Sequence, residues 1–181
     1  MQHEFRSIFN INFEFLTFLK KKIILNQSIS YTFEEAKKKL EAYCAYQERC
    51  HKEVVSKLWD LGQKQNEIDE IVSYLINQNF LNEERFACSF ARGKHRIKSW
   101  GRVRIVSELK FKTISQRNIT TALKEISEEQ YQETFDKLAE RNWESLHERN
   151  SLKKRKKFCD FLLRKGFESE LVYEKVKELE K

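Results

Sequence analysis

The chain has no proline and only four glycines in 181 residues. Sheets and long loops draw on both for their turns, so this scarcity argues against a turn-rich β fold and for helices. No stretch of about 18 apolar residues occurs, so no segment reads as a membrane-spanning helix. The nearest candidate, residues 5–25, is broken by Arg6, Asn10, Asn12, Glu14 and the run Lys20-Lys21-Lys22, and it has no small-residue cleavage pattern. There is no G-x-x-x-x-G-K-[ST], no G-x-G-x-x-G and no G-x-S-x-G. His3, His51, His95 and His147 are scattered, without a carboxylate or nucleophile at a telling spacing. The chain therefore reads as a non-enzyme without a cofactor. Cys44, Cys50, Cys88 and Cys159 contain no C-x-x-C pair. Cys44, Cys50 and His51 lie close together but match no common zinc spacing, so no metal site is expected. Cysteines on apolar helical stripes read as buried free thiols of a reducing cytosol, which places the protein in the cytoplasm.

Charge is abundant. Charged residues make up 35% of the chain against 40% hydrophobic, and the formal net charge is +7. That balance favours nucleic acid, an acidic protein or an anionic surface as partner. The imbalance is strongest around residues 82–111, which read as two helices joined by a basic turn. Asn82 opens the first, with Glu83 and Glu84 in the first turn, where carboxylates offset the positive helix end. Phe86, Ala87, Phe90 and Ala91 form its apolar stripe, while Arg85, Arg92 and Arg96 share the other side. The second helix follows Ser99-Trp100-Gly101 and is expected to bury Ile105, Val106 and Leu109. From Arg92 to Arg117 there are nine Lys or Arg and a single acid, Glu108.

Phe9, Ile11, Phe13 and Phe15 alternate with polar residues, a strand-like pattern with nothing to pair with, so residues 1–30 read as a poorly packed extension. Thr32-Phe33-Glu34-Glu35 is a capping box that opens a helix through Ala36, Leu40, Tyr43 and Cys44. A second helix carries Val54, Val55, Leu58 and Leu61 and stops at Gly62. A third carries Ile68, Ile71, Val72, Leu75 and Ile76 at helical spacing. The pattern then recurs. Leu58, Ile68, Val72 and Leu75 align with Leu109, Ile119, Leu123 and Ile126 at an offset of 51 residues, and these with Leu162, Val172, Val176 and Leu179 at a further 53. Gly62 and Gly166 share a column in which Thr113 stands in the middle copy. Ser127-Glu128-Glu129-Gln130, a second capping box, opens the third copy, whose first stripe is Tyr131, Phe135 and Leu138. The expected fold is all-α: three tandem three-helix repeats in an elongated, curved array, covering 31–79, 80–126 and 127–181. Each unit is too small for an independent core, so neighbours stack.

The basic clusters carry the functional signal. One cluster on one helix is commonly just a solvated face. Two clusters at the starts of equivalent second helices favour a contact surface for phosphate or an acidic protein. The residues assigned to it are Arg85, Arg92, Lys94, Arg96, Lys98, Arg102 and Arg104 in the middle copy, and Lys153, Lys154, Arg155, Lys156 and Lys157 in the third. Trp59, beside Leu58, reads as packed. Trp100, in the basic turn, is open to either packing or stacking on a base.

Four stretches carry a family resemblance: Tyr43-Cys44-Ala45-Tyr46-Gln47-Glu48-Arg49; Phe80-Leu81-Asn82-Glu83-Glu84-Arg85-Phe86-Ala87; Trp100-Gly101-Arg102-Val103-Arg104-Ile105 with Glu108-Leu109; and Arg164-Lys165-Gly166-Phe167. Over residues 32–179 the chain resembles RecX, the bacterial regulator of the RecA recombinase. The resemblance implies a fold of three three-helix repeats, in agreement with the periodicity. It also implies binding along RecA filaments that inhibits or tunes them in recombination and repair, some DNA contact, and no catalysis. Lys112-Thr113-Ile114 departs from the Lys-Gly-Ile common in the family, so that helix end is expected to be strained. Residues 1–30 have no counterpart in it. A monomer in the cytoplasm, with RecA filaments and non-specific DNA as partners, is the resulting expectation. The alternatives are a sequence-independent DNA-binding protein of homeodomain-like units, or a helical scaffold for another protein.

Overall fold

The structure, a computed structural model, describes residues 31–181, which form nine α-helices and no strand. The extension expected at residues 1–30 lies outside the described residues. The helices are α1 (Phe33–Tyr46), α2 (His51–Asp60), α3 (Gln65–Asn77), α4 (Glu83–Lys98), α5 (Arg102–Phe111), α6 (Gln116–Leu123), α7 (Glu128–Ser145), α8 (Ser151–Lys165) and α9 (Ser169–Leu179).

Local chemistry sets most of the boundaries. At the start of α1 the Glu35 amide donates to Thr32 Oγ1 (3.4 Å) and the Thr32 amide donates back to Glu35 Oε2 (2.9 Å). Asn82, Ser115 and Asn150 accept the same type of bond at the starts of α4, α6 and α8. Ser127 caps α7 through the Gln130 amide (3.2 Å), but Gln130 returns no bond, so the second expected box is a simple N-cap. Gly62 (φ 79°), Thr113 (φ 63°) and Gly166 (φ 87°) follow α2, α5 and α8 in the left-handed region. Glycine adopts it without a Cβ clash, whereas β-branched Thr113 is strained there.

The apolar stripes meet in two cores. Ala36, Leu40, Val54, Leu58, Ile68 and Leu75 fill one among α1–α3. The second is continuous from α4 to α9 and includes Phe86, Ile105, Leu109, Phe135, Phe158 and Val172. From the first unit only Cys50, the residue that caps α2, is among its buried residues. Ile105 and Leu109 are buried as expected, but Val106 is only half-buried at the edge. The second and third units thus share an interior, and the first has its own.

The junctions differ accordingly. Between the first two units, Arg85 pairs with Glu48 (2.5 Å) and Lys112 with Glu53 (2.7 Å). Between the second and third, the His95 ring stacks on Tyr131 with centroids 5.5 Å apart, and behind Tyr131 the rings of Phe167 and Phe135 pack at a tilt, 5.5 and 5.1 Å along the series. Tyr131 Oη donates to Glu168 (2.6 Å) and accepts from the Arg102 amide (3.2 Å). Burial and that bond to Glu168 push its phenol well above the ordinary value. The second helices run head to tail across both junctions. Lys52, in the first turn of α2, donates to the Phe111 carbonyl ending α5 (3.0 Å), and Arg104, in the first turn of α5, donates to the Arg164 carbonyl near the end of α8 (3.0 Å). Phe111 and Arg164 are equivalent positions in the repeat. At both places a cation meets the negative end of a helix.

Candidate functional site

The twelve cations assigned from the sequence fall into three groups. Arg85, Arg92 and Arg102 are ion-paired within the fold. Arg85 pairs with Glu48 and also donates to the Asn79 carbonyl (3.0 Å), stitching the first unit to the second. Arg92 pairs with Glu125. Arg102 reaches Glu128 (2.8 Å), which raises its guanidinium pKa and lowers that of the carboxyl.

The second group gathers around Trp100. Its ring packs edge-on against Phe90 (6.4 Å), with the Arg104 guanidinium 4.1 Å and the Lys94 ammonium 5.2 Å from its centroid. Trp100 is therefore half-buried under cations. Lys98 ends α4 close by, and its carbonyl accepts from Lys165 Nζ (2.9 Å). Burial, together with the positive charge of Arg104, Arg141 and Lys98, pushes Lys165 below the ordinary lysine value. The helix end α4, the start of α5 and the end of α8 bring these groups together, with α7 supplying Arg141. Arg96 lies on the exposed outer side of α4, with no ion partner among the described residues.

The third group opens α8. Lys154 lies over the Trp143 ring (4.2 Å), Arg155 reaches Glu180 (3.3 Å) and Lys157 reaches Glu148 (2.8 Å). Lys153 and Lys156 are exposed, with no ion partner among the described residues. Eleven residues of helix separate Lys153 from Arg164, so this group stands about 16 Å along α8 from the Trp100 patch. The two basic stretches do not form one continuous surface.

Sequence reasoning missed Arg141 and Lys165. Lys165 sits in a recognised helix-ending motif, but nothing in that motif shows that it turns towards Lys98. Arg141 carries no sequence signal at all. Trp59 was expected to pack and is instead 51% exposed. Leu58 faces the core, and a step of about 100° along the helix turns its neighbour outward. No group of three or more metal-ligating side chains occurs among the described residues, and none of their helices is long and apolar enough to cross a membrane.

Comparison with known proteins gives a consistent result. Family models for the second and third three-helix domains of RecX match residues 82–123 and 128–176, together half of the chain. The regulatory protein RecX of Bacillus cytotoxicus is 29% identical over 147 residues, covering 80% of this chain and 54% of that protein. The regulatory protein RecX of Clostridium perfringens is 31% identical over 122 residues, covering 66% of this chain and 57% of that protein. The chain thus spans about half the length of the curated relatives it matches. A crystal structure of RecX from Lactobacillus salivarius superposes with a TM-score of 0.69 at 26% identity, covering 82% of this chain and 96% of the other. A second crystal structure, of a regulatory protein RecX, gives 0.69 at 25% identity, covering 81% and 73%. Consecutive domains, matched in order on the helices that build the shared core, decide the assignment: this chain belongs to the RecX family.

Proposed function

We propose that this protein binds RecA nucleoprotein filaments in the cytoplasm, as a non-catalytic regulator, and mainly inhibits them. The observation that carries this reading is the match of α4–α9 to two successive RecX domains, on which the Trp100 patch is built. Lys94, Lys98, Arg104, Arg141 and Lys165 form the contact surface for DNA phosphate or an acidic filament face. Arg96 extends it, and Lys153 and Lys156 offer a separate basic contact further along α8. Arg85 and Arg102 contribute by holding the units in register, and Arg92 by tying α4 to the end of α6 within the second unit. Binding to one filament state stabilises that state by mass action, so no chemistry is required.

The test is the ATPase rate of RecA on single-stranded DNA with this protein titrated in below filament stoichiometry. The rate should fall clearly at substoichiometric amounts. Joint neutralisation of Arg96, Lys98, Arg104 and Lys165 should weaken inhibition and flatten its salt dependence. Unchanged inhibition in that variant would retire the patch, and no effect of the unaltered protein even in excess would retire the filament reading.

A second reading, direct sequence-independent DNA binding, is favoured by one observation. The first turn of α8 has no acid and carries Lys153 and Lys154, against the usual preference at a positive helix end. An external anion would relieve that conflict. Salt-sensitive affinity for duplex DNA without any effect on RecA would support it.

A further inference from the structure

Three of the four glycines have a visible reason in the fold. Gly62 and Gly166 adopt positive φ, and a Cβ on Gly101 would lie 2.1 Å from the Gly166 carbonyl oxygen. Gly93 has no such reason. It lies inside α4, and a Cβ there would meet nothing within 4 Å. Glycine in that position weakens the helix relative to alanine.

Gly93 lines a groove of about 490 Å³ between the first and second units. Phe86 and Phe90 form its apolar base, and Ile97, 69% exposed, stands on its rim. The groove follows α4 from Ser89 to Lys98, about 14 Å, or two and a half helical turns. Its charges are unevenly used. Glu53 is taken by Lys112 and Glu48 by Arg85, while Lys94 and Lys98 have no carboxylate partner among the described residues.

We propose that this groove receives an amphipathic helix of a protein partner, with its apolar side chains over Phe90, Gly93 and Ile97 and its carboxylates on Lys94 and Lys98. The absent side chain at Gly93 lets the incoming backbone come closer than the 8–10 Å usual between helix axes. Nucleic acid fits poorly, because Glu108, with no ion partner among the described residues, lines the same groove and would face phosphates. The partner's identity rests on the recombinase reading above, which makes it a RecA subunit in the filament.

Gly93→Leu in the full chain would fill the groove from inside. The expected result is a melting temperature equal to or above that of the unaltered protein, duplex-DNA affinity within twofold, and a tenfold or larger rise in the concentration that half-inhibits RecA ATPase. Ile97→Glu should give the same loss. Inhibition within twofold of normal in both variants would overturn the groove, and the filament reading would stand if neutralising the Trp100 patch still abolished inhibition. No inhibition by the unaltered protein would overturn both. A melting temperature lowered by more than 5 °C in Gly93→Leu would mean that the chain itself fills the groove. A parallel loss of DNA affinity would assign it to nucleic acid, and an unaltered protein that is dimeric and made monomeric by Gly93→Leu would assign it to a second copy. Each of these three outcomes overturns the proposal.

Discussion

The same substitution at Gly101 and at Gly93 should have opposite effects. Gly101 caps α5 with φ −75° and ψ 168°, a conformation open to any residue, so alanine there meets no backbone penalty. The obstacle is external. A Cβ would stand 2.1 Å from Gly166 O, 2.3 Å from Gly166 C and 2.5 Å from the Phe167 amide nitrogen, all backbone atoms that cannot rotate aside. The end of α8 must retreat by about 1 Å to restore van der Waals contact. Three bonds lie across that contact: the Gly101 amide to Lys165 O (2.8 Å), the Val103 amide to Gly166 O (3.0 Å) and Arg104 to Arg164 O (3.0 Å). At about 1 kcal/mol each, Gly101→Ala should destabilise the protein by about 3 kcal/mol. For a chain of this size that is a fall in melting temperature of roughly 6–12 °C. Gly93→Ala, with open space around its Cβ, should instead gain about 0.5–1 kcal/mol from helix propensity. Thermal and urea unfolding of the two variants in parallel give the comparison. A loss below about 1 kcal/mol for Gly101→Ala, with an unchanged urea slope, would refute the claim that backbone contact fixes the junction.

Thr113→Gly should stabilise the protein by about 1 kcal/mol, because an exposed β-branched residue is held at φ 63° where both other repeats have glycine. An unchanged or lower melting temperature would show that no strain is stored there. Burial pushes the Cys44 thiol up to about 11. The folded state therefore keeps a proton that the unfolded chain releases at lower pH, so this contribution is complete below about pH 8.5 and is lost as pH rises towards 11. Cys44→Ala should flatten part of the alkaline loss in unfolding free energy, and identical pH profiles for the two proteins would exclude it.

The repeat was legible because each unit buries the same face, so equivalent core positions must recur at a nearly constant offset. Leu58, Leu109 and Leu162 do so and are all fully buried. The strained turn at Thr113 was legible for the same reason, by comparison with the glycines in its column. The use of each cation was not legible. Arg92 and Arg96 share one side of α4, yet Arg92 meets Glu125 and Arg96 stays exposed. That choice depends on where the end of α6 lies, a contact spanning 33 residues that no local pattern encodes. Arg141 and Lys165 reach the patch by the same kind of long-range placement. Periodicity reports which side of a helix is apolar, and packing decides which polar residues meet.

The two junctions should also respond differently to salt. The one joining the second and third units is mainly an aromatic and apolar interior with one ion pair among the described residues, Arg102–Glu128, its carboxylate exposed, so salt weakens it little. The one joining the first unit has less apolar contact, chiefly Leu81 in the first core and Cys50 in the second, and carries two ion pairs, Arg85–Glu48 and Lys112–Glu53, with side chains 23–40% exposed. Pairs so placed contribute about 0.2–1 kcal/mol each and are screened strongly at 1 M salt, where the Debye length is about 3 Å. The first unit has a core of three helices completed by Leu81 of the second unit, and depends on its neighbour for stability. Raising potassium chloride from about 0.05 to about 1 M should therefore cut hydrogen-exchange protection in α1–α3 by roughly two- to thirtyfold, the equivalent of losing about 0.4–2 kcal/mol, while α4–α9 change little. The paired change Glu48→Gln with Glu53→Gln should reproduce the loss at low salt and remove the response to added salt. An equal fall of protection in all nine helices, or a full salt response in the doubly neutralised protein, would show that the ion pairs do not govern the junction.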